Sequence, residues 1–417
     1  ASEMTVHRRL ICILLVALTV MMSGCTDLKA LERLAHVVVV GLDAAGDGYL
    51  EITFQIANPQ VGSTDIGQAE DEPPSDIISL TATDLITARE LANTIISRQI
   101  NFTHLQTMII SEELARSGGF HEILASQIRI PEFRREMNLI VSKERASQFI
   151  HRNKPKLETR PHKYYEFMME QWNESGMLPI SDVNRYLQRL SGETFLAVYA
   201  TSERSDTPNE KKEADYKAGE VPSRAADPVQ MIGSALFKGG QMIDVLTGEE
   251  TRIALMLRRA EKTLSHIDSF QDPLSPRQRV SVRLIRKRDT DVRVNISGEV
   301  PDIQATVTLG VQVLSIQSLE NYITDQSLQQ KLAKVIKESL EREAEKLVKK
   351  AQEKFGADPF QWHLDVRRKF WTWDDYIKFD WNKKFSKAKV NVNFDIHIDS
   401  FGKQIAPSKI KDEEGEL

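Results

Sequence analysis

Cysteine is nearly absent from this sequence. The 417 residues contain only Cys12 and Cys25, both close to the N-terminus. The remaining chain therefore cannot be held together by a disulfide framework of the kind found in small secreted domains. A protein of this length must rely on apolar cores instead, and its length indicates roughly two to three domains.

The sequence also lacks a strong charge imbalance and, beyond its first residues, any long apolar run. The formal net charge is −5 with 28% charged residues, which gives no reason to expect nucleic-acid binding. Mean hydropathy is −0.35, and beyond residue 25 no apolar stretch approaches the roughly 18 to 20 residues that span a bilayer. Apolar residues make up 41% of the chain, so we predict that most of it folds around sizeable cores in water.

Sequence signatures of catalysis and metal binding are missing as well. The chain contains no GxSxG, P-loop, HExxH or CxxC motif. The glycine-rich residues 41–48 follow a predicted strand, but their spacing is not GxGxxG and a second strand comes next, so we predict a hairpin there. The nine histidines are scattered without a completing cluster of cysteines or acids. We therefore predict no catalytic residue, no metal site and no cofactor.

The N-terminus has the features of an export signal. Two arginines precede a 13-residue apolar segment, residues 10–22, which would extend only about 20 Å as a helix. Because the hydrocarbon core of a bilayer is roughly 30 Å thick, residues 1–24 are predicted to be a signal peptide. Two small residues then precede Cys25, as in the bacterial lipobox. We expect lipidation of Cys25, and the alternative is an ordinary signal peptide followed by a chance cysteine.

Shifts in composition predict the domain organisation. Residues 202–228 are charged and contain proline but almost no large apolar side chain, which is typical of a linker. The other predicted parts are an N-terminal α+β domain over 25–201, a middle domain over 229–300, a C-terminal α+β domain over 301–402 and a polar tail over 403–417.

Hydrophobic periodicity predicts an α+β fold with mixed or antiparallel sheets and packed helices. Residues 49–57 and 303–316 alternate between apolar and polar side chains, as half-buried strands do. One apolar stripe at helical spacing ends at Gly356 and predicts a helix of about 28 to 30 residues lying on an antiparallel sheet. The stripe consists of Leu328, Leu332, Val335, Ile336, Leu340, Leu347 and Val348.

Aromatic residues are only 7% of the chain, yet four of the five tryptophans fall within residues 362–381. Two interpretations of this segment stay open. Its side chains pack the end of the sheet and the long helix, or some of them form an exposed surface that contacts a protein or a membrane, because Trp and Tyr contribute strongly to interfaces. The candidate contact residues are Trp362, Trp371, Trp373, Tyr376 and Trp381.

Several segments resemble a known family, and they occur in the family's order. They are GCTDLKALERLAHVVVVGLDAAGDG (24–48), IISEELARSGGFHEILASQIRIPEFRR (109–135), MIGSALFKGGQMIDVLTGEE (231–250), FGADPF (355–360) and VNVNFDIHI (390–398). The chain resembles the Ger(x)C spore-germination lipoproteins, the C subunits of GerA-type nutrient germinant receptors. Thr26 departs from the family pattern, in which tryptophan usually follows the lipidated cysteine.

The resemblance implies a three-lobed α+β protein without known catalytic activity. It also implies a lipid anchor on the outer face of the spore inner membrane, beside an A subunit and a polytopic B subunit. Two other classes are alternatives, a solute-binding lipoprotein of a transporter and a surface hydrolase. Hairpin-like strand pairs argue against the first, because such folds need alternating βαβ units. The lack of a recognisable nucleophile and base argues against the second.

Overall fold

The computed structural model describes most of the chain after the predicted signal peptide. The described residues are 33–58, 73–170, 175–190, 193–204, 215–223, 225–260, 265–318 and 320–402. The predicted signal peptide (1–24), Cys25 and the polar tail (403–417) lie outside them. The described residues form two sheets and several helices, which confirms the α+β class. None of the described helices has both the length and the hydropathy that a bilayer span requires.

The first sheet has nine strands. They are β1 Leu34–Gly46, β2 Tyr49–Ala57, β3 Ser75–Ala82, β4 Gln99–Asn101, β5 Thr107–Ser111, β6 Asn138–Ser142, β7 Thr194–Thr201, β8 Gln230–Lys238 and β9 Gln241–Leu246. Eight of them lie in the order β3-β2-β1-β5-β6-β7-β8-β9, and β4 pairs with the beginning of β1. The central strands β1, β5, β6 and β7 run parallel, with antiparallel strands on both sides.

Helices cover both faces of the first sheet. They are α1 Leu85–Ala92, α2 Glu112–Ser117, α3 Phe120–Gln127, α4 Ala146–Arg152, α5 Pro161–Glu170 and α6 Val183–Gln188. One core contains side chains of α1, α2, α3 and α6, and a second core contains side chains of α4 and α5. Along β5, Met108 and Ile110 belong to the one core and Ile109 to the other. The central strands are largely apolar because both of their faces are buried.

The parallel strands correct one argument made from the sequence. Hairpin-like pairs were expected to dominate, but β5 reaches β6 through α2 and α3, and β6 reaches β7 through α4, α5 and α6. A short, mostly apolar strand does not reveal whether its neighbour is parallel or antiparallel, since the pattern of residues is the same in both cases. The argument against a solute-binding lipoprotein that used hairpins therefore no longer holds.

The glycine-rich residues 41–48 form the end of β1 and the turn of the β1–β2 hairpin, as predicted. Asp47 and Gly48 have φ of 50° and 78°, the left-handed region that tight hairpin turns require. Asp43 has a separate role, because its carboxylate oxygens accept the backbone N–H groups of Ala146 and Ser147 at 2.7 and 2.9 Å. Asp43 thus caps the start of α4 from a neighbouring strand.

The second sheet has five strands. They are β10 Ser265–Gln271, β11 Arg279–Arg286, β12 Asp291–Asn295, β13 Asp302–Ile316 and β14 Lys389–Ser400. β10 pairs with β11, and β11 and β12 each pair antiparallel with a different part of β13. β14 runs parallel to β13, so the sheet is mixed, whereas the sequence predicted an antiparallel sheet under the long helix.

Two helices pack between and against the sheets, α7 over Gly248–Leu257 and α8 over Gln326–Lys350. The side chain of Asp325 caps the start of α8. A π-helical turn over Ala351–Phe355 continues α8, and Gly356 with φ of 55° ends it. The predicted long helix and its end at Gly356 are confirmed, and five of the seven stripe residues are buried. Three short helices then lead to β14, namely α9 His363–Arg367, α10 Trp373–Phe379 and α11 Trp381–Phe385.

The sheets divide the chain differently from the predicted domains. Residues 229–300 were expected to form a middle domain, but β8 and β9 complete the first sheet, whereas β10, β11 and β12 belong to the second. The predicted linker, 202–228, connects two antiparallel neighbours of one sheet, β7 and β8. A polar segment shows where the chain leaves a sheet, but it does not show that the chain returns to the same sheet.

Candidate functional site

The predicted lipidation site is not among the described residues. Cys25 precedes residue 33, where the described chain begins. The assignment of Cys25 therefore stays a prediction from the sequence.

The five predicted contact residues divide into a buried group and an exposed group. Trp362, Tyr376 and Trp381 are only 0%, 6% and 5% exposed, so they do not form the predicted contact surface. The indole N–H of Trp362 donates to the carbonyl of Leu257 at 3.0 Å, and that of Trp381 donates to Asp358 Oδ2 at 2.9 Å. Buried indoles need such partners, and the core-packing interpretation holds for these three residues.

Trp371, Trp373 and Ile377 are exposed, and we call these three side chains the Trp371 surface. Their exposed fractions are 101%, 45% and 48%. The guanidinium carbon of Arg367 lies 5.8 Å from the ring centroid of Trp373, within the range of a cation–π contact. Exposed apolar side chains rimmed by polar residues are typical of an interaction surface.

Local capping explains why neighbouring residues in this segment have opposite environments. Thr372 begins α10, and its hydroxyl accepts the backbone N–H of Asp375 at 3.2 Å. Asp380 with φ of 50° ends α10, and its carboxylate accepts the N–H of Lys383 at 3.4 Å to begin α11. The helix fixed between these caps turns Tyr376 inward and leaves the Trp371 surface outside.

A buried polar network joins the aromatic segment to the first sheet. The Oε2 atom of Glu193, directly before β7, lies 3.2 Å from His363 Nε2 and 2.8 Å from Arg189 Nη1. Asp358 Oδ2 accepts the backbone N–H of His363 at 2.8 Å and lies 3.6 Å from its Nδ1. The Thr194 hydroxyl donates to the carbonyl oxygen of Asp358. Residues that follow α8 are thereby fixed to the beginning of β7.

The two ends of this network have displaced pKa values. Burial disfavours the charged imidazole, but the carboxylates of Asp358 and Glu193 outweigh burial and raise the pKa of His363. Burial would also raise the pKa of Glu193, yet His363 and Arg189 outweigh it and lower that pKa to about 2. At mildly acidic pH the network therefore holds a buried ion pair.

The network has the properties of a structural contact that holds two segments of the chain together. The hydroxyl of Thr194 donates its hydrogen bond to a backbone carbonyl and not to the imidazole of His363. Among the described residues, no group of three His, Cys, Asp or Glu side chains is placed to hold a metal ion. Sequence reasoning missed Glu193, Asp358 and His363 because they come from distant segments. The one local signal was the Asp358–Pro359 dipeptide that follows Gly356, since such dipeptides favour turns.

A wider cleft of about 610 Å³ lies between residues of the first sheet and residues that follow α7 and α8. Its arginines are held by acceptors of the protein itself. Arg185 lies 3.2 Å from Asp182, Arg189 lies 2.8 Å from Glu193, and Arg258 donates to the carbonyl of Pro359. This cleft is therefore a polar interface between the two parts of the fold.

Two family models match the chain. The model for the spore germination protein N-terminal domain matches residues 27–201, and the model described as spore germination B3/GerAC-like, C-terminal, matches residues 232–402. The matches thus cover both sheets.

Curated relatives match over almost the whole length. The chain is 24% identical to spore germination protein KC of Bacillus subtilis (strain 168), over 97% of this chain and 98% of that protein. It is 20% identical to spore germination protein B3 of the same strain, over 91% and 95% of the two chains. It is also 20% identical to spore germination protein GerQC of Bacillus cereus, over 94% and 98%.

A solved structure shares the fold. The crystal structure of the GerBC protein superposes with a TM-score of 0.53 at 15% identity, covering 86% of this chain and 96% of that one. Because two consecutive family models and several full-length relatives agree, the chain belongs to the Ger(x)C family of GerAC-like spore germination proteins.

Proposed function

We propose that this protein is the non-enzymatic C subunit of a nutrient germinant receptor and that it acts by assembling or coupling with an A subunit and a polytopic B subunit. The observation that carries the proposal is the match to spore germination proteins over both parts of the chain. The fold adds support, because its buried His–carboxylate network connects the segment after α8 to the beginning of β7.

The genetic test is deletion of the gene in its spore-forming host. Nutrient-triggered germination should be lost or slowed, as measured by the fall in optical density of a spore suspension. Germination by a chemical trigger that bypasses nutrient sensing should stay normal, and a restored gene copy should rescue the nutrient response. Normal nutrient germination in a strain without a paralogous copy would refute the proposal.

We propose further that lipid on Cys25 anchors the protein to the outer face of the spore inner membrane. An N-terminal lipoprotein carries two or three acyl chains, and two such chains are enough for stable anchoring. Cys25→Ala should move the protein into the soluble fraction or leave the leader uncleaved. Cys12→Ala is the matched control, because Cys12 lies in the predicted leader and its loss should change neither processing nor fractionation.

The Trp371 surface is the proposed docking site for a partner subunit. Trp371→Ala and Trp373→Ala should reduce co-purification with the B subunit and slow nutrient germination without lowering protein abundance. Ile95→Ala is a suitable control, since Ile95 is 64% exposed on the first part of the fold. If the two variants keep the B subunit but bind vesicles of anionic lipid less well, the surface contacts membrane instead.

A further inference from the structure

The connection between α4 and α5 holds an apolar side chain out in water. We call residues 154–157 of this connection the Leu157 loop. Leu157 is 95% exposed, the highest fraction after Trp371 among the large apolar side chains of the described chain. Single exposed apolar residues are common on protein surfaces, so the surroundings of Leu157 decide what its exposure means.

Hydrogen bonds on both sides of Leu157 fix the loop. On one side, the backbone N–H of Lys156 donates to Asp227 Oδ1 at 2.8 Å. On the other, the guanidinium of Arg160 donates to both carboxylate oxygens of Glu158 at 2.8 Å. Leu157 therefore lies between two anchored residues, and the local structure keeps its side chain away from the cores.

The charges beside Leu157 are positive. Three of the five lysines and arginines between residues 151 and 163 have a carboxylate partner. The other two, Lys154 and Lys156, are exposed and form no ion pair with any residue that the structure describes. The loop thus combines a fully exposed apolar side chain with two lysines that are available to an anionic partner.

The Leu157 loop lies close to the start of the first sheet. A cavity of about 340 Å³ is lined by Lys154 and Pro155 of the loop and by Ser75, the first residue of β3. Ser75 pairs with the last residue of β2, and the end of β2 pairs with the first part of β1. Because neighbouring strands lie roughly 4.8 Å apart, β3 is only about 10 Å from β1. The loop is therefore near the part of the fold where β1 begins.

The proposed lipid anchor would hold this part of the fold near a bilayer. Arg33, directly before β1, is eight residues after Cys25, and eight fully extended residues span no more than about 29 Å. A bilayer within that distance has a high effective concentration at the loop, as for any tethered pair of sites. A contact that is too weak to hold a free protein is then strong enough to orient an anchored one.

The chemistry of the loop fits an anionic lipid surface. Each lysine close to such a surface strengthens attachment by about fivefold, and an apolar side chain beside the lysines can enter the boundary between headgroups and acyl chains. One apolar side chain is far less than the roughly 800 Å² that each partner contributes to a stable protein interface. We propose that the Leu157 loop is a second membrane contact, with Lys154 and Lys156 on anionic headgroups and Leu157 inserted beside them. This inference rests on the proposed anchor at Cys25.

The experiment places a polarity-sensitive fluorophore on the loop of the lipidated full chain. Cys12 would leave with the leader and the sulfur of Cys25 would carry lipid, so Leu157→Cys would supply the one free thiol for labelling. The protein is reconstituted on vesicles of phosphatidylcholine with one quarter phosphatidylglycerol. Emission should rise by roughly two- to threefold relative to detergent solution, because the probe enters a less polar layer. Tyr49→Cys is the matched control, since Tyr49 is 49% exposed at the opposite end of the β1–β2 hairpin, and its probe should not respond.

A second pair of variants tests the lysines. Lys154→Gln together with Lys156→Gln should abolish most of the emission increase, because two contributions of about fivefold are lost. Lys334→Gln together with Lys349→Gln removes the same charge from two exposed positions of α8, and it should leave the increase unchanged.

Flotation of the vesicles separates this inference from the anchor itself. If the protein floats with the vesicles but the probe at position 157 does not respond, the membrane contact is refuted and the anchor stands. Equal responses of the probes at positions 157 and 49, or equal effects of the two lysine pairs, would also overturn the contact. Protein that does not float with the vesicles would refute the anchor and this inference with it. The receptor proposal has its own deletion test and would not be affected.

Discussion

Trp362 and Trp371 belong to one short aromatic segment and have opposite environments. Trp362 is fully buried with its indole N–H on the carbonyl of Leu257, whereas Trp371 is as exposed as in an extended peptide. Trp381 and Trp373 repeat the contrast, since Trp381 is bonded to Asp358 and Trp373 is nearly half exposed. What separates the two groups is a polar partner for the indole inside the fold. For both buried tryptophans that partner lies outside residues 362–381.

The largest expected effect is the loss of stability when a buried tryptophan of this segment is truncated. Trp362→Ala should lower the free energy of unfolding by about 3–5 kcal/mol, because it leaves a large cavity and orphans a carbonyl. Trp371→Ala should change it by no more than about 0.5 kcal/mol. Urea unfolding followed by circular dichroism measures both. Equal losses of unfolding free energy for the two variants would contradict the distinction between buried and exposed tryptophans.

The next effect concerns how the stability contributed by the Glu193–His363 pair depends on pH. The pKa of Glu193 is lowered from 4.5 to about 2, so its contribution is present above pH 4.5 and is lost as pH falls toward 2. The pKa of His363 is raised above 6.5, so its contribution is present below pH 6.5 and is lost as pH rises through the raised value. The pair should therefore stabilise the fold most between about pH 4.5 and 6.5.

Glu193→Gln should remove this maximum. At pH 5.5 we expect a loss of about 3–5 kcal/mol, because the buried imidazolium loses one of its two carboxylates. Unfolding midpoints measured from pH 3 to pH 8 test the shape of the curve. Glu203→Gln is the control, since Glu203 pairs with Arg152 at 3.1 Å but is 48% exposed; exposed pairs contribute at most about 1 kcal/mol. A pH profile unchanged by Glu193→Gln would contradict the assigned charges.

The smallest effect isolates the indole hydrogen bond. Trp381→Phe keeps an aromatic ring but removes the donor to Asp358 Oδ2, and we expect a loss of about 1.5–2 kcal/mol, as for a hydrogen bond to a charged group. Trp373→Phe should have almost no effect, because its side chain is nearly half exposed. Thermal unfolding of the two variants side by side would sharpen the comparison, and similar losses would show that the hydrogen bond is not what separates the groups.

Local features of the fold were predictable from the sequence. The hairpin at Asp47–Gly48 and the helix end at Gly356 depend on backbone conformations that neighbouring residues determine. The stripe of α8 follows from helical periodicity, and its residues are mostly buried.

The partners of these elements were not predictable. Parallel pairing of β5 with β6 and the return of β8 to the first sheet are non-local choices that a single strand pattern does not encode. The candidate site shows the same limit, because Glu193 and His363 come from distant parts of the chain. The sequence identified the aromatic segment but could not show which tryptophans would find buried acceptors.

The position of β1 has a mechanical consequence. β1 begins at Leu34 and lies inside the first sheet, hydrogen-bonded to β2, β4 and β5. A force applied to the chain ahead of residue 34 and directed along the strand would load many of these hydrogen bonds together in shear. An edge strand would instead peel away one bond at a time. A tether at this end would therefore pull on the part of the molecule that is hardest to unravel.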